Sequence, residues 1–201
     1  MIGVLAYRSP ASSTSVAPPS LGLLRREDGG GSVAAEATIA EHGRPPRRGP
    51  LGEADGAVPD GTTVFDDEVP GVANLDPDLL RTLRVAASVA ADDGIAFFVD
   101  SGWRSAAYQA RLFSEAVAKY GSAEEAARWV AGPTTSAHVS GDAVDIGHAA
   151  ATAWLSEHGA VYGLCQIYGN EPWHYELRHT AIHHGCPPTY ADASDDPRLQ
   201  Q

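Results

Sequence analysis

The chain has 201 residues, 43% of them hydrophobic, with 26 acidic and 14 basic side chains, a formal charge of −12 and two cysteines. That length suits one domain of ordinary size. The charge argues against non-specific binding to nucleic acid and against docking on an anionic membrane, since both need a basic patch. Two cysteines are too few for a four-thiolate zinc site.

The charge is unevenly placed. Residues 1–57 carry six arginines (Arg8, Arg25, Arg26, Arg44, Arg47, Arg48) and six acids (Glu27, Asp28, Glu36, Glu41, Glu53, Asp55), so the whole −12 belongs to residues 58–201. Runs such as Ser9 to Ser20 and Arg44 to Gly52 are rich in Pro, Ser, Gly, Ala and Arg. They bury too little apolar surface to offset the entropy of ordering. Residues 1–57 therefore read as a flexible tether and residues 58–201 as the folded domain. The apolar run Ile2 to Tyr7 is too short for a transmembrane helix or a complete signal peptide.

From Val58 onward the punctuation is that of a folded domain. Asp76-Pro77 predicts a helix cap and first turn, and apolar residues from Leu79 to Ala90 follow at helical spacing until Gly94. A short buried strand is predicted over Ile95 to Val99. Ser105 caps a second helix reaching about Tyr120, and Ser122 with Glu125 forms a capping box for a third reaching about Val130. A strand at Ala143 to Ile146, a helix at Ala150 to His158, and strands near Leu164 to Tyr168 and Trp173 to Leu177 follow. Helices come mostly first and strands mostly later, without regular βαβ alternation, which predicts an α+β fold.

The chemistry concentrates in two segments. Ser136-Ala-His138-Val-Ser-Gly141-Asp142-Ala-Val-Asp145 is a loop running into a strand, and Glu171-Pro-Trp173-His174-Tyr-Glu176 lies near the next pair of strands. His138, Asp145 and His174 offer two imidazoles and a carboxylate, a set suited to zinc with a fourth position open for water. Glu171 is the candidate base, since Pro172 implies a bend that brings it beside His174. No His-Glu-x-x-His helix is present, so the commonest helical zinc-protease arrangement is excluded. Spacing alone leaves open a non-haem iron oxygenase, whose ligands are also two histidines and a carboxylate. It equally leaves open the reading that each residue is an ordinary core or surface group. In a strand, Trp173, Tyr175 and Leu177 would face the core, and Glu176 would share the metal side with His174.

Ser-x-His-x-x-Gly-x-Ala-x-Asp followed by Glu-x-Trp-His resembles the signature of the zinc D-alanyl-D-alanine carboxypeptidases and dipeptidases of the VanY and VanX type. Those enzymes share a fold with the hedgehog signalling domain. Ser101-Gly102-Trp103-Arg104-Ser105, with Tyr108-Gln109 after it, is similar to the segment preceding the metal loop in that family. The resemblance extends from about Val58 to the C-terminus and leaves residues 1–57 uncovered. It implies a small antiparallel sheet flanked by helices and one Zn2+ per domain, held by His138, Asp145 and His174.

By the same resemblance Glu171 is general base and acid, and Arg104 is the cation that polarises the scissile carbonyl. Ser136 would hold the substrate, with Gln109 and Asp142 lining the same cleft and Asp142 attracting the ammonium of a dipeptide. The implied substrate is a peptidoglycan stem peptide or free D-Ala-D-Ala, hydrolysed in wall remodelling or glycopeptide resistance. The alternative is a zinc-containing, hedgehog-like binding module without turnover. An extracytoplasmic, monomeric protein is implied, with Ile2 to Tyr7 as the remnant of an export or anchor segment. In that compartment Cys165 and Cys186 are expected to form a disulfide bracketing Glu171 and His174.

Overall fold

Asp76 starts the first long helix as expected: its carboxylate accepts from the backbone N–H groups of Asp78 and Leu79 at 2.9 and 3.0 Å, and Pro77 presets the first turn. The computed structural model describes residues 50–200. The tether expected over 1–57 thus lies, up to residue 49, outside the described residues. Residues 53–57 pack on the domain: Ser105 donates from Oγ to Asp55 Oδ1 at 3.0 Å and from its backbone to Asp55 O at 2.8 Å.

The helices are α1 (Pro70–Ala73), α2 (Pro77–Ala90), α3 (Ala106–Tyr120), α4 (Ala123–Ala127), α5 (Ala137–Ser140), α6 (Ala149–His158) and α7 (Ala181–His184). The strands are β1 (Phe98–Ser101), β2 (Ala143–Gly147), β3 (Leu164–Gln166) and β4 (His174–Leu177). They form one antiparallel sheet in the order β1-β2-β4-β3. This is the small antiparallel sheet with helices that was expected. Among the described residues, no helix is long and apolar enough to cross a membrane.

One sheet face builds the core. Leu79, Leu83, Ala86 and Ala90 form the buried stripe of α2, and Trp154 and Leu155 come from α6. Both helices pack with Val99, Val144, Ile146 and Tyr175 from the strands. Because side chains alternate along a strand, burying Val144 and Ile146 in the core turns Asp145 to the opposite face. Asp145 stands directly across from His174 in the β2–β4 ladder.

The first strand is shifted from its expected place. β2 ends at Gly147 opposite Phe98, so residues 95–97 find no ladder partner. Ile95 instead donates to Ala90 O at 3.0 Å, closing the end of α2. The expected disulfide joins Cys165 of β3 to Cys186, with Cα atoms 5.5 Å apart. Replacing both cysteines with serine should lower unfolding stability by about 3 kcal/mol, since the bond closes a loop of about 20 residues. Denaturant unfolding measures this, and a change below about 1 kcal/mol would contradict a stabilising crosslink.

Candidate metal centre

The site is assembled where three loops meet the sheet face away from the core. After β1 the chain turns through Gly102, Trp103 and Arg104 into α3. A Cβ at Gly102 would lie 2.0 Å from Gly71 O, so only glycine lets this loop approach α1. The Gly102 carbonyl accepts a 2.8 Å hydrogen bond from His138 Nδ1. A carbonyl cannot donate, so the His138 proton sits on Nδ1 and the lone pair is on Nε2. His138 lies in α5, which ends at Gly141 in the left-handed conformation (φ 83°), where a Cβ would meet Asn74 O at 2.5 Å.

Asp145 collects the other groups. Its Oδ1 lies 3.4 Å from His138 Nε2 and 3.1 Å from His174 Nδ1. Its Oδ2 accepts from Arg104 Nη2 at 2.9 Å. Glu171 Oε2 is 3.9 Å from His174 Nδ1. On the far side of the imidazole, His174 Nε2 is buried without a hydrogen-bond partner among the described residues, 3.5 Å from Glu176 Oε1. His138, Asp145, Glu171, His174 and Glu176 are all buried.

That much charge in so little water shifts proton affinities. Burial alone would push the Asp145 carboxyl up, but the two imidazoles hold it well below the usual carboxylate range. Burial and the Arg104 cation lower His138. Burial would also lower His174, yet the Asp145 and Glu176 carboxylates raise it to about 9. Glu171 is pushed up to about 7 by burial, partly offset by His174, with Asp145 adding to the rise. Burial works against ionising Glu176 as well, but His174 and Arg198 bring it down to about 2.

Arg104 is fixed by three acceptors: Nε to Ser101 Oγ at 2.6 Å, Nη1 to Gln109 Oε1 at 3.1 Å, and Nη2 to Asp145 Oδ2. Of the five N–H donors of a guanidinium, one on Nη1 and one on Nη2 stay uncommitted among the described residues. Arg104, Ser136, His138, Asp145, Glu171 and His174 all line one cavity of about 380 Å³.

Asp142 and Trp173 depart from expectation, and Gln109 has a further role. Gln109 reaches the cavity wall, but its carbonyl accepts from Arg104 and its amide donates to Ala131 O at 2.7 Å. It lines the cleft and its carbonyl orients Arg104. Asp142 is exposed, accepts from Ser140 Oγ at 2.6 Å, and lines a separate cavity with Asp76 and Arg178. Exposure of Asp142 follows from β2, whose pairing begins only at Ala143. Trp173 is no core residue: it is 41% exposed at the cavity, because β4 begins at His174 and the chain at 171–174 is a turn closed by His174 N–H to Glu171 O at 3.1 Å. Tyr168 was not singled out by its sequence context, yet its ring lies 5.0 Å from that of His174.

The donor set fits a divalent cation such as zinc. Zn–N and Zn–O bonds of about 2.0–2.2 Å place tetrahedral ligand atoms roughly 3.3–3.5 Å apart. The contacts of Asp145 Oδ1 with the two imidazole nitrogens, 3.4 and 3.1 Å, are close to this separation. One ligand atom from each residue lies within 4.8 Å of the others. The Gly102 carbonyl fixes the His138 tautomer that ligation through Nε2 requires.

A family model described as VanY, D-alanyl-D-alanine carboxypeptidase, matches residues 73–179. A D-alanyl-D-alanine carboxypeptidase of Enterococcus faecalis (strain ATCC 700802 / V583) is 32% identical over 139 residues, covering 55% of this chain and 52% of that protein. The chain thus spans about half the length of this relative. Among solved structures, VanYB in complex with D-alanine-D-alanine is 28% identical, with a TM-score of 0.50 over 55% of this chain and 78% of that one. The LdcB LD-carboxypeptidase is 22% identical, with a TM-score of 0.51 over 66% and 72% of the two chains, a likeness of fold.

The proton affinities set a pH dependence for the metal-free protein. His174 rises from 6.5 to about 9 on folding and Glu171 from 4.5 to about 7. A group that binds its proton more tightly when folded stabilises below its unfolded pKa, and that contribution is lost as pH climbs through the folded value. The melting temperature of chelator-treated protein should therefore fall between pH 6.5 and 9, and a rise over this interval would contradict the electrostatics described.

Proposed function

Because this chain belongs to the VanY family of D-alanyl-D-alanine carboxypeptidases, we propose that it is a zinc D,D-carboxypeptidase removing the terminal D-alanine of peptidoglycan stem peptides. The observation that carries this reading is that His138, Asp145, His174, Glu171 and Arg104 all face one cavity. Held by His138, Asp145 and His174, zinc would supply Lewis acidity for the scissile carbonyl and lower the pKa of a water.

The remaining roles fall to the chain's own groups. Glu171, with a pKa near 7 from burial, takes a proton from the attacking water and returns it to the departing amine. Arg104 aims its two uncommitted N–H groups at the oxygen that becomes anionic, and its three bonds prevent it from reorganising during the reaction. Ser136 makes no cap bond with its hydroxyl, which leaves it available to a peptide group.

A peptide substrate is preferred to the free dipeptide on two grounds. Leu112, Ala116, Tyr120, Trp129 and Val130 line the same cavity, with Glu115 and Lys119 among them, a largely apolar wall suited to more chain. Asp142, expected to attract the ammonium of a dipeptide, lines a separate cavity. The D-alanine-D-alanine held by VanYB supports the same terminal pair here. A cell-wall substrate implies an extracytoplasmic site of action, which the Cys165–Cys186 bond supports. The chain before the packed segment 53–57 is proposed as the tether of this domain, and the protein as a monomer.

Zinc-loaded protein should release D-alanine faster from a pentapeptide ending in D-Ala-D-Ala than from the dipeptide. Glu171→Ala should lower kcat by about 10²–10⁴-fold with zinc content unchanged. Release from neither peptide, or turnover by the variant equal to that of the parent, overturns the assignment. A preference for the dipeptide turns it into a dipeptidase. Separately, Arg104→Met should lower kcat by roughly 10²–10³-fold, the scale of a lost oxyanion donor, in the same D-alanine release assay.

A further inference from the structure

His174 is gripped from two sides, and both grips lead to one turn near the C-terminus. At the ring edge, Nε2 faces Glu176 Oε1 at 3.5 Å. Ligation of zinc through Nδ1 puts the ring proton on Nε2, with the Glu176 carboxylate beside it at 3.5 Å and able to draw it by charge. Glu176 is itself held by Arg198, with Nη1 to Oε2 at 2.7 Å and Nη2 to Oε1 at 3.2 Å, and by Arg178 Nη2 to Oε2 at 2.7 Å. The Arg198 pair is the bidentate fork that fixes a carboxylate in direction as well as position.

At the ring face, Tyr168 lies 5.0 Å from His174 between centroids, tilted by 33°. Its hydroxyl donates to Asp196 Oδ2 at 3.1 Å. Asp196 is fully buried and accepts in turn from Arg198, through the backbone N–H at 2.9 Å, through Nε at 3.0 Å and through Nη2. The contacts therefore close a circuit: His174, Glu176, Arg198, Asp196, Tyr168 and His174 again. Leu199 seals it by packing on the small cluster of Cys165, Ile167, Tyr168, Ala181 and Ala193. Asp196 and Arg198 lie beyond residues 73–179, the span that the family model matches.

We propose that Arg198, on the turn Pro197–Leu199, is a positioning residue of the metal centre, holding His174 in its ligating orientation through Glu176 and through Asp196 and Tyr168. The turn is thus part of the site although it touches neither substrate nor metal. This inference rests on the zinc reading above and goes beyond it by adding a segment outside the matched family region.

The test uses the full chain, with zinc alone as the probe and a chelator of known affinity as competitor. Arg198→Met should weaken zinc binding by about 10–100-fold, the usual cost of losing a partner that orients a ligand. Arg198→Lys, which keeps the charge without the fork, should recover part of the loss. Tyr168→Phe, which removes only the hydroxyl bond to Asp196, should weaken binding by a smaller factor than Arg198→Met. Circular dichroism identifies the variants that fold, and if Arg198→Met does not, the other two decide by the same criterion. A turn that only stabilises the fold would lower the melting temperature and leave the zinc dissociation constant of folded protein unchanged, which overturns the proposal. A parent protein that binds no zinc overturns the metal-centre reading itself, whereas parent and variants binding equally well overturn the positioning role alone.

Discussion

Asp145 has both carboxylate oxygens in use: Oδ1 between the two imidazoles, Oδ2 on the Arg104 guanidinium. A buried carboxylate with unmet lone pairs would be costly, and one so fully engaged instead organises its neighbours. It draws together α5, β4 and the loop after β1, which are far apart in sequence. It also keeps Arg104, an intrinsically mobile side chain, in one rotamer beside the two imidazoles. Burial and then Arg104 lower the proton affinity of His138, while Asp145 and Glu176 raise that of His174 against its burial, so neighbouring imidazoles are driven in opposite directions.

The surrounding fold serves that arrangement in layers. The core of α2, α6 and one sheet face supplies rigidity. The opposite face carries the candidate site, with Tyr168 and Glu176 backing His174, and Gly102 backing His138. Glu171 differs from all of these in having burial without a close cation, its nearest being His174 at 3.9 Å. That contrast gives two kinds of acid within one cavity: Asp145, kept ionised by its partners, and Glu171, free to exchange a proton near neutrality.

What could be read in the sequence was which polar groups short spacings bring together. His138 and Asp145 lie seven residues apart, and His174 three after Glu171, so a short turn and one strand are enough to place each pair. The capping signals at Asp76, Ser105 and Ser122 likewise marked three helix starts, because a cap is a local hydrogen bond. Long-range pairing was not legible. Nothing local says that β2 stops at Gly147, so the start of β1 was misplaced. Trp173 was misread because alternation was extended one residue before the strand begins. Asp142 was drawn into the cleft by its nearness in sequence to Asp145, although it precedes the strand and is exposed. The partnership of Arg198 with Glu176 spans 22 residues and depends on how the C-terminal turn folds back, which no periodicity encodes.

The direct cross-strand pairing of Asp145 with His174 has a consequence for how the sheet reaches its final form. Strand side chains alternate with a period of two, so a slip of one residue between β2 and β4 would turn one of these groups toward the core and away from the other. Only the native pairing therefore offers the complete donor set, and a cation bound there stabilises that pairing over every slipped competitor by mass action. The ion would act as a proofreader of strand alignment, rewarding correctly assembled chains before any substrate arrives.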